Sequence, residues 1–295
     1  AALHRAARSG NARIARALLD AGAPVDPVDD LLRTPLHLAV LSGHRDVAEL
    51  LRSHGADPDA SLPRYRTLLH WAAATRRREA AVLMASLGAD VGARDGKGNT
   101  ALHYAALRGD AELAAFLIGH GAAVDAATPE LLVTPLHYAV REGHVETARL
   151  LLEHGADPNA RSRLYGTPLH WAADRGRGEA AALLMARGAR AAEVDDHRLT
   201  SVERARRRGH IEIAAILDAA ETPADRIATI AVPGERAGSN GSAGCTLPRH
   251  MHMASRAFLH DYLQGDLSVA QFRRLFSLPN SDYLGLGRCL VALHE

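Results

Sequence analysis

Apolar positions in this chain repeat on two scales. Within Asp46–His54, Val47, Ala48, Leu50 and Leu51 fall at three- and four-residue steps, the spacing that gathers a stripe along one side of a helix. Gly55 follows, where a left-handed cap is expected to stop that helix. A shorter helix precedes it. Thr34 can cap its start with the hydroxyl, Pro35 suits a first helical position where no N–H is needed, and Gly43 marks its end. The run Ala56-Asp57-Pro58-Asp59 then turns the chain outward into an extended finger.

The block as a whole returns down the chain. Thr-x-Leu-His occurs at Thr34–His37, Thr67–His70, Thr100–His103, Thr134–His137 and Thr167–His170, with degenerate copies opening at Ala1 and closing at Thr200. The steps between copies are 33, 33, 33, 34, 33 and 33 residues. A fixed period of about 20–50 residues marks stacked units that bury their apolar faces only against one another. The predicted fold is an all-α solenoid of seven helix-turn-helix units, beginning near 1, 34, 67, 100, 134, 167 and 200, with β-hairpin fingers between them.

The anchors of each unit are T-P-L-H, an Ala-rich inner helix, G-H at the helix turn, L-L on the outer helix and H-G-A-D-P after it. In these the chain resembles the ankyrin repeat, over about residues 1–221. The resemblance implies a non-catalytic protein-interaction scaffold that binds through the concave face of the inner helices and the finger tips. It also implies a buried, neutral motif histidine that bridges backbone and the Thr hydroxyl of the neighbouring unit. After the histidine, inner copies carry Leu38, Trp71, Tyr104, Tyr138 and Trp171, whereas the first and seventh copies carry Arg5 and Arg204. Polar residues there are expected to face water, as the ends of a solenoid must. No Met opens the chain, which reads as a fragment or processed product.

The repeat register absorbs most candidate chemistry. Of 17 histidines, six are motif residues, three follow the helix-turn glycine (His44, His144, His210) and three precede the helix-stop glycine (His54, His120, His154). The close pair His250-x-His252 after Cys245 lacks the spacing of a zinc module. Arg108-Gly109-Asp110 spells an adhesion tripeptide but sits at a helix turn, and Asn240-Gly241-Ser242 lies in a linker composition. No phosphate-binding loop or nucleophile elbow is present. No catalytic residue, cofactor or metal is therefore expected. A net charge of +1 argues against a nucleic-acid partner, and the lack of any run of about 18 apolar residues argues against membrane insertion. The expected location is intracellular, cytoplasmic or nuclear. Lys97 is the sole lysine among 35 basic residues, which fits either GC-rich coding or a lysine-free surface that escapes ubiquitination.

Departures from the repeat carry the functional information. Where ankyrin fingers usually read D-x-x-G-x-T, this chain keeps that form at Asp95–Thr100 and elsewhere places Leu31 and Leu32, Arg64 and Tyr65, Leu131 and Leu132, and Leu164 and Tyr165. Such tips either build an apolar recognition strip or fold back onto the adjacent finger. Trp71, Tyr104, Tyr138 and Trp171 form an aromatic ladder near the concave face, expected to pack between repeats with ring edges reaching the groove. One or more proteins are the predicted partners.

Composition changes after Glu221. Residues 222–248, rich in Gly, Ser, Ala and Pro, read as a flexible linker, and 249–295 as a small helical segment. Phe258 and Tyr262, then Phe272, Leu275 and Phe276, supply its candidate docking face. Short helical boxes at the end of ankyrin proteins resemble the SOCS or F-box elements of substrate receptors for cullin-type ubiquitin ligases, which makes ligase components the alternative partners. Against the SOCS pattern, Met251 stands where Cys is wanted and Ser255 where an aliphatic residue is wanted.

Overall fold

A computed structural model of the chain describes residues 2–62 and 67–220. They form fourteen helices in seven pairs. The inner helices are α1 (Ala2–Arg8), α3 (Pro35–Leu41), α5 (Leu68–Ala74), α7 (Ala101–Arg108), α9 (Pro135–Glu142), α11 (Pro168–Arg175) and α13 (Ser201–Arg208). The outer helices are α2 (Ala12–Asp20), α4 (Arg45–Ser53), α6 (Arg78–Ser86), α8 (Ala111–Gly119), α10 (Val145–Glu153), α12 (Gly178–Ala186) and α14 (Ile211–Ala220). Inner helices pack side by side, as α7 does on α9 and α11 on α13, and outer helices form the second layer, as α10 on α12 and α12 on α14. The core runs continuously between the layers.

The motif leucines Leu36, Leu69, Leu102, Leu136 and Leu169 are fully buried, as are Leu51, Met84, Leu117, Leu151 and Leu184 at the matching outer-helix position. Each such burial contributes about 1.5–3 kcal/mol, so the stack is held by repeated modest terms between neighbours.

The motif histidines His70, His103, His137 and His170 tie their units to the next, but not in the expected direction. Backbone N–H groups of Thr34, Thr100, Thr134 and Thr167 donate to Nδ1 of His37, His103, His137 and His170 at 3.0–3.2 Å. The Thr67, Thr100, Thr134 and Thr167 hydroxyls lie 2.9–3.0 Å from the same atom of their own histidine. It is the carbonyl, not the hydroxyl, that belongs to the neighbouring unit: Nε2 of His70, His103, His137 and His170 reaches Asn99, Val133, Gly166 and Leu199 oxygens at 3.1–3.3 Å. With Nδ1 accepting a backbone N–H, the proton must sit on Nε2 and the ring is neutral. In the last unit Glu203 replaces the histidine and closes a capping box on Thr200.

The helix-turn histidines make a second inter-repeat stitch. Nε2 of His44, His144 and His210 reaches the carbonyls of Arg8, Leu107 and Asp174 at 3.2–3.3 Å. Their rings then lie over Gly10, Gly109 and Gly176, where a Cβ would come within 2.5–2.8 Å of ring atoms. Gly109 also has φ 70°, whereas Gly43, at φ 76°, would meet nothing within 4 Å. Gly43→Ala should therefore cost about 1 kcal/mol from left-handed backbone alone. Gly109→Ala should cost about twice that, because the His144 stitch is lost as well. Urea melts of the two variants check this, and equal midpoints would remove the stitch from the account. The adhesion-like tripeptide is absorbed in the same turn: Arg108 Nε donates to the Ala74 carbonyl at 2.7 Å, and Asp110 caps Leu113 N–H and pairs with Arg78.

The expected β-hairpin fingers are reduced, among the described residues, to two isolated antiparallel bridges, Ser162 with Gly166 and Val194 with Thr200. A side chain takes the ladder's place. Asp29, Asp95 and Asp195 each accept the N–H groups two and four residues ahead, at 2.7–3.0 Å, and so close a tight turn without paired strands.

Candidate interaction surface

The turns at the first, third, fourth and sixth finger tips place a left-handed residue two before the Thr, whereas the fifth uses Gly166, one before it. In the third that residue is Gly98 at φ 77°, but Leu32 and Leu132 hold the same place at φ 57° and 53°. In the first finger Leu32 N–H donates to the Asp29 carbonyl at 2.8 Å, and in the fourth Leu132 N–H donates to the Thr128 carbonyl at 2.9 Å. The Thr128 hydroxyl accepts Val133 N–H at 3.0 Å, doing the work of the aspartate elsewhere. These turns aim the leucines outward. Leu31 is 59% exposed and Leu32 51%, and Leu131, Leu132 and Leu164 are also exposed.

Neighbouring fingers are tied together. Arg163 N–H donates to the Leu131 carbonyl at 2.8 Å and its guanidinium to the Glu130 carbonyl at 3.1 Å. Arg94 and Arg161 bridge to the following fingers at the Ala127 and Val194 carbonyls. The third to sixth tips are thus presented on a pre-arranged row. Arg64 and Tyr65 lie outside the described residues.

The two readings of the tips separate by residue. The leucines point outward, whereas Tyr165 folds back: its ring meets Trp171 edge-on at 5.6 Å and lies under the Arg204 guanidinium at 4.9 Å.

The aromatic ladder works mainly on the fingers. The Tyr104 hydroxyl donates to Asp95 at 2.6 Å, Trp171 Nε1 donates to the Ser162 hydroxyl at 3.0 Å, and Arg204 Nε donates to Asp195 at 3.0 Å, each reaching the turn residue nine positions back. Tyr138, which follows the finger that carries the extra residue, reaches Asn99 of the preceding finger at 3.3 Å. Leu38 has no donor, and Asp29 is held instead by Arg33 at 2.7 Å, which keeps its carboxyl down to about 2. Trp171, only 2% exposed, is packing and belongs to no surface; Trp71, Tyr104 and Tyr138 keep partly exposed rings along the groove. Arg77 lies over Trp71 at 5.3 Å, and Arg141 over Tyr138 and Trp171 at 5.0 and 5.6 Å.

Arg204 corrects the expectation that both end arginines face water. Arg5 is exposed, but Arg204 is buried with two carboxylates, bonding Asp195 at its floor and Asp174 at 3.1 Å. Burial pushes the Asp195 carboxyl up, and the bonds from Arg204 and from the Leu199 and His197 N–H groups outweigh it, leaving it below the usual carboxylate range. The only advance sign of this pairing was an aspartate nine residues before an arginine, the spacing that Asp95 and Tyr104 share. The candidate docking residues Phe258, Tyr262, Phe272, Leu275 and Phe276 lie outside the described residues.

Comparison with known proteins covers the same span. The family profile described as ankyrin repeats (3 copies) matches residues 1–61 and 69–162, and the single ankyrin repeat profile matches 166–196. The ankyrin repeat domain of Bcl-3, described as a unique member of the IkappaB protein family, is 31% identical with a TM-score of 0.66, covering 73% of this chain and 98% of that one. The human ASB11 ankyrin repeat domain is 26% identical with a TM-score of 0.61, covering 76% of this chain and 99% of that one. No curated protein matches the chain.

Proposed function

The chain belongs to the ankyrin-repeat family, and from that premise we propose that it is a non-catalytic scaffold holding a partner protein against its finger tips and the adjoining concave face, inside the cell. One observation carries this reading: Leu32 and Leu132 are both exposed and left-handed. A left-handed non-glycine residue costs about 1–2 kcal/mol, and leaving leucine in water forgoes about 1.5–3 kcal/mol of burial. Glycine, which the chain itself uses at position 98, would avoid both. Strain retained at an exposed apolar residue points to recognition, and apolar patches rimmed by polar groups such as Arg33, Asp30, Arg163 and Glu130 suit a protein partner. The partner's matching surface is then itself apolar, with charges at its edge.

The test is quantitative co-purification from cells expressing either the natural chain or a Leu31, Leu32, Leu131, Leu132→Ser variant, with circular dichroism to verify the fold. The variant should lose at least about tenfold of its tip-dependent partner, the equivalent of about 1.4 kcal/mol. Partners recovered in equal amounts would refute the finger-tip surface. The ligase-receptor alternative rests on residues 249–295, which lie outside the described residues.

A further inference from the structure

The last repeat ends the array on an apolar face. On α14, Ile211 is 64% exposed and Ile216 44%, with Ala215 and Ala219 exposed beside them. Residues 211, 215 and 219 are four apart, so they form one stripe. Ile216, at 44%, holds the helix position of Leu50, Leu83 and Leu183, which are no more than 8% exposed, and of the half-buried Phe116 and Leu150, all of which lie between successive repeats. No described residue covers Ile216. On α2, by contrast, the exposed Ile14 lies among the exposed Arg13, Arg16 and Asp20. An exposed face carrying two isoleucines and two alanines, with Glu212 beside them, is of the kind that is covered by another surface.

We propose that the occupant is this chain's own segment 251–276, folded back on α14 as the C-terminal cap of the array. Three things select it over a separate molecule. The chain leaves α14 at Ala220 and continues to Glu295. The residues from 221 to 248 span up to roughly 90 Å at about 3.3 Å each, against a helix about 15 Å long, so reach is not limiting. Covalent attachment holds the segment near the flank at an effective concentration on the order of millimolar, which a free partner rarely matches. Its composition also fits. Met251, Ala254, Phe258 and Tyr262 recur at three- and four-residue steps, and Asp261 and Asp266 suit the exposed Arg207 of α13. A segment this short has too little apolar surface for a core of its own, and α14 supplies the missing half. This inference is independent of the finger-tip reading.

Hydrogen exchange on the full chain tests it. Amides within 258–276 should exchange at least about tenfold more slowly in the natural chain than in an Ile211→Asp/Ile216→Asp variant, with α3 to α10 unchanged in both. A Phe258→Ser/Tyr262→Ser variant leaves the array's own residues intact and should speed exchange in α14 by a similar factor. Equal exchange of 258–276 in the natural and Ile211/Ile216 chains would overturn the proposal, as would α14 amides indifferent to the Phe258/Tyr262 change. Protection of α14 that disappears on dilution together with a dimer mass would overturn it in favour of a second copy.

Discussion

Arg204→Ala should cost about 3–5 kcal/mol, the usual penalty for removing one partner of a buried ion pair. The Asp195 side chain is fully buried and Asp174 nearly so, and Arg204 bonds both. Without it Asp195 keeps its N–H donors from His197 and Leu199 but loses its counter-charge, and the Tyr165 ring loses the cation stacked on it. Because a solenoid's end repeat contacts only one neighbour, the loss should appear first as opening of α13 and α14 while α3 to α10 stay protected. The chain itself suggests the rescue. Asp95 and Tyr104 occupy the same register as Asp195 and Arg204 and are joined at 2.6 Å. Arg204→Tyr should therefore recover a substantial part of what Arg204→Ala loses. Urea unfolding with hydrogen exchange measures both, and an Arg204→Ala chain with an unmoved midpoint would mean that the network contributes nothing.

Acid should unfold the array well before its carboxylates are neutralised. Burial pushes the imidazoles of His37, His103 and His137 down to about 4, and those of His70 and His170 in the same direction. The geometry agrees: a protonated Nδ1 would confront the Thr N–H that now donates to it. An unfolded histidine binds its proton near pH 6.5, so between there and 4 the unfolded chain binds more protons than the folded one. Stability is then complete above about pH 6.5 and falls as pH drops through that window. Each of the three should cost ~3 kcal/mol by pH 4, and together they reach on the order of 10 kcal/mol, comparable to the whole stability of a typical domain. Asp26, Asp59 and Asp125, raised chiefly by burial, act oppositely, gaining a proton before the unfolded chain does. The lowered Asp29, Asp95 and Asp195 oppose unfolding only above the ordinary carboxylate range, and that contribution is lost below it. Circular dichroism against pH should show the transition between about pH 6 and 4.5. A midpoint below 4 would show that the motif histidines remain neutral at little cost.

Much of the architecture was legible because its causes are local. Thr34 caps α3, Gly109 and Gly143 end their helices left-handed, and the leucine stripe of α4 is buried, each fixed by neighbours within about four residues. The repeat register also identified the recurrent histidines as scaffold, and the hydrogen bonds place them there. The surface was less legible. Leu31, Leu32, Leu131 and Leu132 stood out as departures, yet nothing in their spacing said that two of them are left-handed, or that Tyr165 turns inward while Leu164 remains exposed.

By itself, then, the sequence determined the period, the helix pairs, their caps and the family, because those depend on residues close along the chain or repeated at a constant offset. Only the tertiary structure decided that Arg204 is interior and that α14 ends in an uncovered apolar stripe. Both depend on what the adjacent repeat presents: Asp174, thirty residues before Arg204, supplies a second carboxylate, while no eighth repeat among the described residues lies over Ile216.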